Sequence, residues 1–361
     1  MERREAAVKG CLLGMAVGDA MGYPVDKKSW SEICEDYGPN GLLGYDLANG
    51  TAEITSYTQI AAFVCNGLLM GLIRGNPEKY NKYMALGLRE WAKGQQYLPE
   101  SERTFCWLTR IPEMRRRTCM DTRMLDALSR ETLGSPEYPV LRSTSPSALT
   151  AAVAAGLLYD PERMDLKQVG RLGAEAVAFT HGDPETFLSG AVLAYTITGI
   201  LHRPERTVAQ QFLTAAEIVQ AQFGETYPRA EKITALLQKA IAFTKDPDIS
   251  PLAAMTLLEC TTAAECLAAA AYASIIHAGN FDEGMIAAVN HSGRSAAVGA
   301  LTGAVLGAKL GCEALPEFYL ESLEQASILE ELAQDLAQDR QTIRIFDDHW
   351  DQKYVQGLPT R

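Results

Sequence analysis

The sequence predicts an all-α fold, and three observations carry that prediction. Apolar residues recur with helical periodicity along almost the whole chain, while the alternating Val/Ile/Thr/Tyr pattern of a half-buried strand is nearly absent. Cap residues followed by proline at the first helical position mark helix starts at Ser145-Pro146, Asp183-Pro184-Glu185 and Ser250-Pro251. Glycines spaced by four form two series, Gly10, Gly14, Gly18 and Gly22, then Gly299, Gly303, Gly307 and Gly311, each on one face of an Ala/Leu/Val-rich helix. Glycine in a helix interior costs about 1 kcal/mol relative to alanine, so each series asks for a compensating reason. Close backbone approach between the first helix and the late one supplies it.

Taken in order, the first helix covers about 3–21 and carries Asp19 near its end. From Gly22 to Thr55 the chain is rich in Gly, Asn, Asp and Pro and reads as irregular. A helix over 56–74 opens behind Thr55, a standard N-cap residue ahead of an apolar run, and a further helix covers 77–95. Pro99 to Thr118 is a second irregular segment, and loops that long inside a compact domain are more often functional than idle. Helices then follow over 119–131, 146–159, 165–181, 184–202, 206–221, 226–244, 250–258, 262–278 and 281–290. The late glycine helix takes 294–311, and 316–338 closes the series with an acidic run from Glu330 to Asp339, a solvated face. Residues 1–338 read as one domain and 339–361 as a tail, solvated or docked on a partner or on the bundle, with Phe346-Asp347-Asp348-His349-Trp350-Asp351 inside it.

Composition narrows the function classes. The 361 residues carry 33 basic and 45 acidic side chains, a net charge of -12 that would repel a phosphate backbone, and no basic cluster exceeds Arg115-Arg116-Arg117. Nucleic acid is thereby excluded as a partner. The 8 cysteines form no CxxC pair and sit mostly in apolar helical stretches, which suggests reduced thiols and a cytoplasmic location. The N-terminus lacks the apolar core of a signal peptide. In the late helix the uncharged stretch from Ser295 to Ala308 falls short of the ~20 residues a bilayer span needs, so no membrane partner is expected.

Three stretches carry a resemblance. Gly10-Cys11-Leu12-Leu13-Gly14-Met15-Ala16-Val17-Gly18-Asp19-Ala20-Met21-Gly22-Tyr23-Pro24-Val25-Asp26 forms an opening motif. Thr180-His181-Gly182-Asp183-Pro184-Glu185 forms a helix junction, and Ala288-Val289-Asn290 through Gly303-Ala304-Val305-Leu306-Gly307-Ala308 forms a closing helix. Through these the chain, from about Glu5 to Leu336, resembles the ADP-ribosylglycohydrolase family. That family includes the dinitrogenase reductase-activating glycohydrolase and the ADP-ribosylarginine and ADP-ribosylserine hydrolases. The resemblance implies a compact orthogonal helical bundle with a two-magnesium centre in a cleft. There a Thr-Asp-Asp-Thr motif and a Gly-Gly-Asp-Ser/Thr-Asp motif hold the metals, which bind a sugar diol and activate a water.

At both motifs this chain departs from the pattern. The first stands as Thr55-Ser56-Tyr57-Thr58-Gln59 and the second as Ser292-Gly293-Arg294-Ser295-Ala296, so four aspartates are replaced and a cation is added. A unit positive charge 4 Å from a divalent ion opposes its binding by roughly 8 kcal/mol at an effective dielectric of 20. A third departure is Ser145-Pro146-Ser147-Ala148-Leu149-Thr150-Ala151, where relatives carry Asn-Gly and then Arg. The expectation is a scaffold without metal ligands or a cofactor, binding ADP-ribose, a related nucleotide or glycoside, or an ADP-ribosylated protein, as a pseudoenzyme. Two alternatives stand beside it: an active hydrolase of an N- or O-glycoside, and a regulatory interaction module.

Candidate ligand-binding residues are Thr55, Ser56, Tyr57, Thr58, Asp183, Ser292, Gly293, Arg294 and Ser295; candidate catalytic residues are Asp19, Asp26, His181 and His291. Tyr57 fills the volume vacated by metal or stacks on a ligand ring. Arg294, near a helix N-terminus where the dipole disfavours a cation, asks for an anionic partner: Asp19, Asp26, Asp183 or a ligand phosphate. His181 and His291 suit general acid or base work with a partner carboxylate, or are simply satisfied by neighbouring helix ends. Asp183 is explained as an N-cap alone, and Thr55 caps its helix whatever else it does.

Overall fold

The structure is a computed structural model that describes residues 2–74, 77–96, 103–119, 121–162, 164–338 and 348–358. Among the described residues there is no β-strand, only three isolated bridges. Helices follow in the order α1 (Glu2–Gly22), α2 (Trp30–Tyr37), α3 (Ser56–Ile73), α4 (Tyr80–Gly94), α5 (Arg123–Ser129) and α6 (Ala151–Leu158). Next come α7 (Leu166–Ala178), α8 (Pro184–His202), α9 (Val208–Phe223), α10 (Ala230–Phe243), α11 (Pro251–Leu257) and α12 (Ala263–Ile276). Last are α13 (Phe281–Val289), α14 (Ser295–Leu310), α15 (Glu317–Ser322), α16 (Ala326–Ala337) and α17 (Asp348–Tyr354).

The two glycine series form the seam of the bundle. α1 and α14 run antiparallel, and a Cβ built on Gly10, Gly14 or Gly18 would strike the carbonyl oxygen of Gly307, Gly303 or Gly299. At the two ends the expected pairing changes. Gly22 meets Ser295, while Gly311 leaves the helix at φ 86 and serves as the C-cap of α14, a left-handed position suited to glycine. Around this pair, α3 packs on α4 and α6, α8 packs on α6, α7 and α9, α12 bridges α10 and α14, and α16 lies along α1. α3 is long and apolar enough to cross a membrane on length and composition alone, but 94% of its length is buried inside the bundle.

Caps account for most helix starts. Asp183 and Ser250 cap α8 and α11 ahead of proline, and Ser145 caps a 3₁₀ turn, Pro146–Ala148, that precedes α6. Two differences from the sequence reading have local causes. The segment read as irregular from Gly22 contains α2, opened by a capping box in which Ser29 and Glu32 bond reciprocally. The helix expected over 316–338 is two, because Gln325 adopts φ 57 between α15 and α16. The tail is docked over 348–358, with Lys353 and Tyr354 fully buried; the stretch 339–347, with Phe346 and Asp347, lies outside the described residues.

Candidate functional site

The C-terminal end of α1 meets the N-termini of α3 and α14, and each helix start is held by one acid. Asp19 is fully buried and accepts four hydrogen bonds from the first turn of α3. Thr55 gives its amide at 2.8 Å and its hydroxyl at 2.6 Å; Thr58 gives its amide at 3.1 Å and its hydroxyl at 2.6 Å. Carboxylates at helix N-termini are favoured by unpaired amides and by the helix dipole. Burial nevertheless pushes the Asp19 carboxyl up to about 6, against the pull of those four bonds. Thr55 also caps α3, accepting from the Tyr57 amide at 3.3 Å.

Asp26 does the same for α14. It lies just past the 3₁₀ turn Tyr23–Val25 and accepts from the Ala296 amide at 3.2 Å through Oδ1 and from the Cys119 thiol at 3.2 Å through Oδ2. Arg294 is the N-cap residue of α14, with no side-chain cap bond of its own. Its Nε stands 3.5 Å from Asp26 Oδ2 and its Nη2 donates to the Tyr57 hydroxyl at 2.9 Å. Tyr57 is fully buried, and burial holds its phenol well above the usual range, so it is a neutral acceptor here. Cys119 sits at φ 51, and burial first, then Asp26, pushes its thiol up, so it is no nucleophile at neutral pH. The Asp26–Arg294–Tyr57 chain is nearly dry, with side-chain exposure of 5% for Asp26 and 16% for Arg294.

The remaining candidates separate into distinct places. Ser56 donates to the Cys119 carbonyl at 3.2 Å, beside the same chain of contacts. Gly293 accepts from the Lys27 amide at 2.8 Å through its carbonyl, and Ser292 accepts from the Trp30 amide at 2.7 Å. Both thus tie the segment before α14 to the end of α1 and the start of α2. Ser295 is buried against the carbonyl of His291. His291 is itself buried, its Nε2 donating to the Ala288 carbonyl at 3.0 Å, and burial lowers it to about 4. It is a neutral ring in the wall behind the site. Asp183 caps α8 and pairs with Arg229 at 2.9 Å, so it stands apart from Arg294.

His181, fully buried, faces Asp121, a residue the sequence reading passed over. Its Nδ1 shares a hydrogen bond with Thr180 at 2.9 Å, and its Nε2 lies 3.7 Å from Asp121 Oδ2, beyond hydrogen-bond reach. His181 opposite and the Arg123 side chain and amide hold the Asp121 carboxyl well below its usual range. Arg123 also reaches Ser143 at 3.3 Å. An acid two positions ahead of an arginine at the start of an apolar run reads as a helix cap in sequence, which is why Asp121 and Arg123 gave no signal.

A sequence model described as ADP-ribosylglycohydrolase matches residues 1–344. Among solved structures, one described as an ADP-ribosylglycohydrolase-related protein complex superposes with a TM-score of 0.54 at 22% identity, covering 93% of this chain and 99% of its own, which speaks to the fold. No curated protein matches the sequence. With the family's pattern spanning nearly the whole chain and an all-α bundle shared with a solved relative, the chain belongs to the ADP-ribosylglycohydrolase family.

Proposed function

We propose that this chain keeps the family's scaffold to recognise an ADP-ribose-like ligand, a related nucleotide or glycoside, and does so without metal-dependent hydrolysis. The observation that carries the reading is the Asp26–Arg294–Tyr57 chain of contacts where α1, α3 and α14 meet. The resemblance would place two magnesium ions against 55–58 and 294–296, and the residues present do not fit them. A guanidinium and a buried phenol fill that space, Asp19 accepts four hydrogen bonds from α3, and Asp26 accepts from Ala296 and Cys119 and faces the Arg294 guanidinium. No chemical step is therefore routed through a metal.

Arg294 has five N–H donors, of which one goes to Tyr57 and one faces Asp26, and the donors left over suit an anionic or hydroxyl-rich ligand. The family acts on ADP-ribosylated substrates, which makes ADP-ribose the probe of choice. The test is calorimetric titration with ADP-ribose, in magnesium and again with excess chelator, beside a release assay on an ADP-ribosylated arginine peptide. Equal affinity in both buffers, no release, and at least tenfold weaker binding in Arg294→Glu are expected. Binding that needs magnesium would overturn the reading, and release with chelator present would establish the hydrolase alternative through carboxylate and histidine chemistry.

A further inference from the structure

At the opposite end of α8 from Asp183 lies a cavity of about 470 Å³ between α8, α9 and the chain entering α7. α8 is 19 residues long, which at 1.5 Å per residue separates the two ends by about 28 Å. Tyr159, Leu166, Tyr195 and Ile218 give the cavity apolar and aromatic walls, while His202, Arg203 and Arg206 bring nitrogen donors to it. Among the described residues no carboxylate lines it, in a chain whose net charge is -12. Among the described residues neither Arg203 nor Arg206 forms an ion pair. Arg206 is held in place by one bond, Nη1 to the Thr214 hydroxyl at 3.2 Å, which leaves most of its donors free. A planar fork of donors with free N–H groups matches a carboxylate or phosphate. Beside this wall the buried Nε2 of His202 has no hydrogen-bond partner among the described residues.

We propose that this cavity is a second ligand site, for a small ring-bearing organic anion, with the ring between Tyr159, Leu166, Tyr195 and Ile218 and the anionic group on Arg203 and Arg206. The site is separate from the one around Arg294 and does not rest on the function proposed for it. Pockets of 300–1,000 Å³ with mostly apolar walls and a few placed polar groups are the usual form of small-molecule sites.

The experiment titrates 1-naphthyl phosphate into the full chain, with 1-naphthol and inorganic phosphate as comparators, reading heat and the histidine ring signals by NMR. The chain has 5 histidines, so the His202 signal is assigned by its loss in His202→Gln. Naphthyl phosphate is expected to bind at least tenfold more tightly than either comparator and to move the His202 signal. Arg203→Met and Arg206→Met should each weaken it at least fivefold. Because Arg203 is exposed, its variant keeps the test sharp even where Arg206→Met folds poorly. Affinity no better than that of 1-naphthol, a His202 signal that does not move, or binding untouched by both arginine variants would overturn the proposal.

Discussion

Asp19 shows how a single carboxylate can tie two helices together, and burial sets its cost. Its folded carboxyl protonates near pH 6, about two units above an ordinary aspartate, so between those values the folded state binds more protons than the unfolded one. Stability contributed at this position therefore falls as pH rises from about 4 to about 6, by at most ~3 kcal/mol. An asparagine can replace it almost without loss. Its carbonyl would take the three donors now on Oδ2, and its amide would face the Thr55 hydroxyl, which can turn to accept. Asp19→Asn is expected to stay within ~1 kcal/mol of the native protein at pH 7 and to flatten the pH dependence, whereas Asp19→Ala strands the buried donors of Thr55 and Thr58 and costs ~3 kcal/mol or more. Urea denaturation at pH 4.5 and pH 7 measures both. That Arg294 needs an anion was legible from its place at a helix start. Which acid answers it was not, since Asp19, Asp26 and Asp183 all stand at helix ends in the sequence. The assignment depends on approaches between residues far apart in the chain, such as Asp26 with Ala296 and Asp183 with Arg229.

Between elements, the glycine seam was the most legible feature, because four-residue spacing on two helices leaves few other physical reasons for so much lost helix propensity. Its register was less legible: α14 begins opposite Gly22 with Ser295, and Gly311 is a cap. The same contrast yields a prediction. Gly18→Ala or Gly303→Ala would drive a methyl into the carbonyl of Gly299 or Gly14, backbone that cannot swing aside, and is expected to cost more than ~4 kcal/mol or to prevent folding. Gly279→Ala meets nothing within 4 Å and should change stability by less than ~0.5 kcal/mol. Melting temperatures of the three variants decide the matter. α2 escaped the sequence reading because its short run, Trp-Ser-Glu-Ile-Cys-Glu-Asp-Tyr, has one buried apolar position and too few turns to show a period; only its capping box marks it. The break at Gln325 is a left-handed residue that composition does not announce.

Across the whole molecule, the docked tail reaches toward the segment that forms one side of the candidate site. Its mixed polar composition leaves a solvated and a docked tail both open, and what docks it is a pairing that no local pattern reveals. The fully buried Lys353 places its ammonium 2.7 Å from Asp335 Oδ2, pairs with Glu331, and lies 5.0 Å from the ring centre of Trp107. The Tyr354 hydroxyl donates to the same Asp335 oxygen at 2.6 Å. Trp107 belongs to the irregular segment that later delivers Thr118 and Cys119 to α3 and Asp26, so the tail clamps α16 against the chain leading into the site. Removing one partner of a buried pair strands the other, so Lys353→Met is expected to destabilise by roughly 3 kcal/mol, with Asp335 the charge left behind. Adding Asp335→Asn keeps an acceptor for Tyr354 while removing that charge, and should recover most of the loss. A coupling energy above ~1.5 kcal/mol in the double-mutant cycle, measured by urea denaturation, is the expected outcome. Strictly additive losses would mean that the tail is held by Trp350 and Tyr354 packing alone and that its charges are incidental.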